Sequence, residues 1–174
     1  IFRLLPVFLL LFLGVSSCSQ KEERRILVIH SYEETYAAYP EFNRMIAGQF
    51  EKEKIDADIR TVYLDCESYW EEPELERMRF LVDSVSRDWR PEVILVNEDQ
   101  ATYSLMKCGI QLAKEVPVVF GGVNYPNWGL LKHHPNVTGF HDKIAFNENI
   151  SVAKELFGEH VRLFTMLDTT YIDR

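Results

Sequence analysis

Four short polar clusters each follow an apolar run: His30-Ser31-Tyr32, Asn97-Glu98-Asp99, Gly121-Gly122-Val123-Asn124 and Asp168-Thr169-Thr170. Ser, Tyr, Asn and Thr side chains donate and accept hydrogen bonds, and Tyr32 and Tyr36 add flat apolar faces. The Gly121-Gly122 pair lets backbone approach a ligand closely. Such a set suits recognition of a small polar molecule. The candidate ligand-binding residues are Ser31, Tyr32, Asn97, Glu98, Asp99, Gly122, Asn124, Asp168 and Thr169. Any one of them alone could be a turn residue or a helix cap; it is the set that points to recognition.

Sharper chemistries lack their residues. No G-x-G-x-x-G or Walker-type glycine loop follows the first apolar run, so no nucleotide cofactor is expected. A phospho-acceptor receiver domain needs acids at the end of its first strand, whereas Glu33 and Glu34 come several residues late. Ser31 after a strand invites a secreted α/β hydrolase reading, but no G-x-S-x-G elbow surrounds it. His133, His134 and His141 read as a solvated loop rather than a metal site. Cys66 falls at the end of a strand and Cys108 deep in a helix, too far apart for a disulfide.

The elements that must position these clusters alternate. Ile26-Leu27-Val28-Ile29 is a continuous apolar run, as in a strand buried on both faces. Residues 41–54 place Phe42, Met45, Ile46 and Phe50 on one helical face, and 57–64 read as a second strand. Pro73 suits a first helical position, with Leu75, Met78, Val82, Val85 and Trp89 as the buried stripe. Val93-Ile94-Leu95-Val96 is a third strand, 101–113 a helix, 116–120 a fourth strand and 137–140 a fifth. Asn147 is placed to cap a helix that Gly158 ends, and a sixth strand follows over 161–167. Residues 121–136 read as one long irregular loop. This order implies an α/β fold with a doubly wound, mainly parallel sheet. Ligands of such sheets bind outside the carboxyl ends of the strands, where the polar clusters fall.

The first 17 residues are a separate object. Twelve of them are apolar, Arg3 precedes the run Val7 to Leu13, and the stretch is too short to span a bilayer. The following Gly14-Val15-Ser16-Ser17-Cys18 resembles a bacterial lipobox, with Cys18 as the lipidated residue. A plain secretory signal whose cleavage site abuts a cysteine is the alternative. Residues 18–25 are then a polar tether, in which Gln20-Lys21-Glu22-Glu23 resembles the export signal of Bacteroidetes surface lipoproteins. The chain of 174 residues carries 19 basic and 27 acidic residues, a net charge of −8. With no basic stripe beyond Arg24-Arg25, that balance argues against nucleic acid as a partner. The apolar share of 47 % is enough to bury a core.

Several segments resemble one family. Ile26-Leu27-Val28-Ile29-His30-Ser31-Tyr32 is similar to the opening of ABC-transporter substrate-binding-like sensor domains. Val116-Pro117-Val118-Val119-Phe120-Gly121-Gly122-Val123-Asn124, then Asn136-Val137-Thr138-Gly139-Phe140 and Leu167-Asp168-Thr169-Thr170, continue in register with it. The resemblance implies a periplasmic-binding-protein fold of two α/β lobes with ligand between them. It further implies the extracytoplasmic sensor of a bacterial histidine kinase, or else a lipid-anchored substrate-binding protein of an ABC-type transporter. Residues 26–160 are then lobe one, 161–174 the start of lobe two, and the chain a piece of a longer envelope protein. The partners expected are a small polar ligand and the membrane, reached through the lipid anchor or a downstream transmembrane helix.

Overall fold

The computed structural model describes residues 23–143, 145–160, 162 and 164. The leader, Cys18, most of the strand expected over 161–167, and Asp168 and Thr169 lie outside the described residues. Five strands, β1 (Arg24–His30), β2 (Ala57–Tyr63), β3 (Val93–Asn97), β4 (Val118–Val123) and β5 (Val137–His141), form one sheet in the order β2-β1-β3-β4-β5. Every pairing is parallel. The apolar run Ile26–Ile29 fills the middle of β1, and all four residues are buried. That is what a strand covered on both faces requires.

Between the strands lie α1 (Tyr39–Lys52), α2 (Glu71–Ser86), α3 (Asp99–Lys107), α4 (Leu112–Glu115) and α5 (Trp128–Leu131), and α6 (Phe146–Phe157) follows β5. The chain steps from β1 to β2 in one direction and then from β2 over β1 to β3 in the other. Right-handed crossovers therefore put α1 on one face of the sheet and α2 to α5 on the opposite face. The reversal parts the connections at the carboxyl ends of β1 and β3, which is where a doubly wound sheet opens a crevice. The core lies mainly on the α2–α3 side, built from Leu27, Ile29, Met78, Val82, Ile94, Val96 and Leu105.

Several local expectations are corrected. The helix expected over 101–113 is two, because Gly109 at φ +77° breaks it between Lys107 and Leu112. The segment 121–136 is not all loop: Gly121, Gly122 and Val123 extend β4, and Trp128–Leu131 form a helical turn capped by the Asn127 side chain. Asn147 does not cap α6; it sits inside the helix, which begins at Phe146. In α1 the inward residues are Tyr39, Asn43, Ile46 and Phe50, while Met45 is 62 % exposed. His141 belongs to β5, its ring edge-on to Trp128. Cys66 and Cys108 are separate buried thiols.

The stripe of α2 also carries a charge inward. Glu74 is buried beside Met78 and accepts a hydrogen bond from the Ser104 hydroxyl of α3. Burial pushes its carboxyl up to about 7, against the opposing effect of the Ser104 bond. A folded-state value above the usual 4.5 means that the native fold holds this proton more tightly than the unfolded chain. Glu74 therefore contributes stability that is fully present below about pH 4.5 and is lost as pH rises through about 7. In Glu74→Gln, the urea-unfolding midpoint should fall less between pH 5 and pH 8 than in the parent; parallel profiles would contradict this assignment.

Candidate ligand-binding site

An open cleft of about 450 Å³ lies at the carboxyl ends of β1 and β3. Its floor comes from the strand ends, through Asn97, Glu98 and Gly122, and one wall from the segment between β1 and α1, through Tyr32 and Tyr36, and from Phe42 of α1. Gln100 and Asp99 at the start of α3 and Asn124, Tyr125 and Asp142 beyond β4 and β5 complete it. Six of the nine residues singled out in the sequence line this space: Tyr32, Asn97, Glu98, Asp99, Gly122 and Asn124.

Ser31 does not line it. Its side chain is fully buried, and its Oγ donates to the Asn97 carbonyl at 2.9 Å and accepts from the Ala101 N–H at 2.9 Å. It ties the end of β1 to the end of β3 and to the first turn of α3. A hydroxyl so enclosed offers no nucleophile, which removes the structural basis of the hydrolase reading.

The residue that organises the site was not evident from the sequence. Tyr39 is buried, and its hydroxyl accepts from the Tyr32 N–H at 2.9 Å and donates to Glu98 Oε2 at 2.8 Å. Its ring stacks on His30 at 3.9 Å between centroids and 21° between planes. His30 is itself fully buried, with Nε2 2.8 Å from Asn43 Oδ1 and Nδ1 3.4 Å from Asn97 Nδ2. An oxygen facing Nε2 makes Nε2 the donor, so Nδ1 accepts from the Asn97 amide. Asn43 in turn donates to the Tyr63 hydroxyl at 3.3 Å. Burial lowers the pKa of His30 from its usual 6.5, and the Asn43 bond works in the other direction. The ring is neutral at pH 7.

The floor is also strained. Glu98 sits at φ +74°, where side chains other than glycine are disfavoured by about 1–3 kcal/mol. It is held there by its N–H on the Gly121 carbonyl at 2.7 Å and by the carboxyl bond from Tyr39. Burial raises the pKa of that carboxyl, while hydrogen bonds from Tyr39 and Ser31 lower it. Burial and then the Glu98 charge push the Tyr32 phenol up to about 12, so it stays a hydrogen-bond donor. Asp99 is buried and accepts from the Asn124 N–H at 2.9 Å, the Asn124 side-chain amide at 3.3 Å and the Tyr125 N–H at 3.3 Å. It thereby fixes the loop beyond β4 against α3. Gly122 has φ +67°, and a Cβ there would lie 3.2 Å from Asn97 Oδ1, inside the cleft floor.

Aromatic stacking lines the wall. Tyr32 and Tyr36 stack at 4.8 Å and 25°, and Tyr36 leans on Tyr39 at 4.9 Å. Tyr39, Phe42, Gln100, Tyr125 and Asp142 were missed in the sequence reading, though the spacing Tyr32, Tyr36, Tyr39 was the available signal for the first. No cluster of His, Cys, Asp and Glu suited to a metal is present among the described residues.

Two solved structures share the fold. A conserved domain protein from Vibrio cholerae O1 biovar El Tor superposes with a TM-score of 0.60 at 15 % identity, over 79 % of this chain and 45 % of that one. The ligand-free, open form of CD0873, a substrate binding protein with adhesive properties from Clostridium difficile, gives 0.54 at 12 % identity, over 78 % and 44 %. The chain thus spans less than half the length of each solved protein. Neither a protein-family model nor a curated protein matches the sequence. At these identities the likeness carries the fold: an α/β unit with an all-parallel sheet, shared with a substrate-binding protein.

Removing the Tyr39 hydroxyl isolates this hub from the cleft. Tyr39→Phe leaves the Tyr32 N–H without its partner and takes the Tyr39 bond from the half-buried Glu98 carboxyl, and should cost about 1–3 kcal/mol in chemical denaturation. An unchanged unfolding midpoint would show that the hydroxyl does not hold the two walls together.

Proposed function

We propose that the chain is the first lobe of a two-lobed, extracytoplasmic small-molecule-binding protein, with its ligand seated at the carboxyl ends of β1 and β3. The single observation that carries this reading is the cleft itself. It brings Tyr32, Asn97, Glu98, Asp99 and Asn124, five polar residues from separate segments of the sequence, to one crevice, at the point where the strand order reverses. The fold shared with CD0873, a substrate binding protein, supports the same reading.

Helix α6 favours a second lobe. None of its residues is buried, and Ile150, Leu156 and Phe157 are exposed. An amphipathic helix owes its stability to the partner that covers its apolar face. The rest of a two-lobed protein would supply that cover and the opposite wall of the cleft. Asp168 and Thr169 would then open the second lobe. Ligand binding would bias an open–closed equilibrium by no more than the difference in its affinity for the two states.

Two outputs fit such a lobe. Resemblance of the β1, β4 and β5 segments to sensor domains favours the input domain of a bacterial histidine kinase. The lipobox-like Gly14-Val15-Ser16-Ser17-Cys18 favours a lipid-anchored substrate-binding protein of a transporter. No helix among the described residues is long and apolar enough to cross a membrane. A coding sequence that continues into a transmembrane span and a kinase supports the first; one ending after a second α/β lobe supports the second.

The binding reading is tested by a thermal-shift screen of small metabolites on the full-length protein. Hits should weaken at least about tenfold in Tyr32→Ala and in Asn97→Ala, each of which removes a lining side chain. Hits that persist unchanged in both variants would place the ligand elsewhere.

A further inference from the structure

The polarity of the cleft identifies the part of the ligand that this lobe receives, given the binding reading above. Asn97 cannot present its amide at random. One of its two Nδ2 hydrogens is directed at His30 Nδ1, whose acceptor state is fixed in turn by Nε2 on Asn43 Oδ1. That bond turns the amide so that Oδ1 lies beside Gly122 in the cleft floor. This oxygen is an acceptor only.

The charged side chains lining the cleft are all acidic: Glu98, Asp99 and Asp142. The amino end of α3, which would otherwise draw an anion, already carries Asp99 in its first turn and Glu98 before it. Asp99 uses both oxygens on the Asn124–Tyr125 loop, and Glu98 holds Tyr39. Asp142 is different. It is exposed, its N–H bonds the Val123 carbonyl, and no ion pair or hydrogen bond engages its carboxylate among the described residues. The Tyr32–Tyr36 pair presents aromatic faces in the same space, and such faces attract cations. A carboxylate or phosphate placed against this lobe would meet three acids and no lysine, arginine or histidine in the lining.

We infer that this lobe receives the protonated amine end of its ligand, with Asn97 Oδ1 and the Asp142 carboxylate accepting its N–H groups beside the Tyr32–Tyr36 stack. Asn97 and Asp142 select for charge and donor character, and the tyrosines contribute area that is less selective. His30 is a positioning residue, acting on the ligand only through the orientation of Asn97.

Three probes of equal length separate the possibilities: 1,4-diaminobutane, 1,4-butanediol and succinate, titrated calorimetrically into the full-length protein at low ionic strength. The diamine should bind at least about tenfold more tightly than the diol or the dicarboxylate. Asp142→Asn should weaken it about tenfold without moving the unfolding midpoint, since that carboxylate makes no structural bond among the described residues. Added salt should weaken the parent more than the variant. Succinate or butanediol binding as tightly as the diamine, and lost in Tyr32→Ala, would leave the cleft as the ligand site and overturn the amine assignment. Diamine binding that is absent, or unchanged in Asp142→Asn, would overturn it too. The metabolite screen judges the cleft separately.

Discussion

His30 packs against the rings of both Tyr39 and Tyr63, which also touch each other, and its two nitrogens meet Asn43 and Asn97, so one fully buried side chain joins β1, α1, β2 and the cleft. A buried polar ring is tolerated only when its hydrogen bonds are made, and here both are. Partly satisfied networks of this kind are costly, whereas complete ones fix a single geometry. The consequence reaches the surface in two steps. His30 sets the Asn97 amide, and Tyr39, stacked on His30, sets the Tyr32 backbone and the Glu98 carboxyl.

The same arrangement explains why the cleft tolerates conformations that would otherwise relax. Glu98 at positive φ is held from three directions, by the Gly121 carbonyl, the Tyr39 hydroxyl and the first turn of α3. Gly122 at positive φ leaves open the space in front of Asn97. The strained Glu98 and the buried Asp99 lie where β1 and β3 part, whereas the buried Glu74 lies away from that edge, between α2 and α3. Strain at that edge is expected where a rigid parallel sheet supports a recognition surface at its carboxyl end.

Much of this was legible in the sequence, for a physical reason. Strands covered on both faces are continuous apolar runs, so the fully buried Ile26–Ile29 and the alternately buried and half-buried Val93–Val96 announce themselves, and the polar residues just beyond them fall at the ligand edge. Type alone could not separate residues that face the cleft from those beneath it. Ser31 and Tyr32 are neighbours, yet one is enclosed as a tie between strands and the other lines the space, because successive side chains at a strand end diverge. Tyr39 lay hidden because a tyrosine at a helix start looks amphipathic, and only tertiary contact makes it the hub. Glu74, beside Pro73 in the first turn of α2, favours the helix amino end as a property of local sequence, whereas packing against Ser104 turns it inward. Gly139 shows the reverse case: in the resemblance it was a bare motif letter, and in the fold it is where β5 runs so close to Phe120 that a side chain would collide.

The ring of His30 tests the account most directly. Nitrogen-15 NMR of the imidazole, followed from pH 8 to pH 5 in the full-length protein, reports both tautomer and charge. A neutral ring protonated on Nε2, persisting clearly below the ordinary value of 6.5, is the result expected of a buried His30 that donates to Asn43 and accepts from Asn97. A ring that titrates at its ordinary value, or carries its proton on Nδ1, would contradict it. The orientation of Asn97 and the polarity of the cleft would then have to be assigned anew.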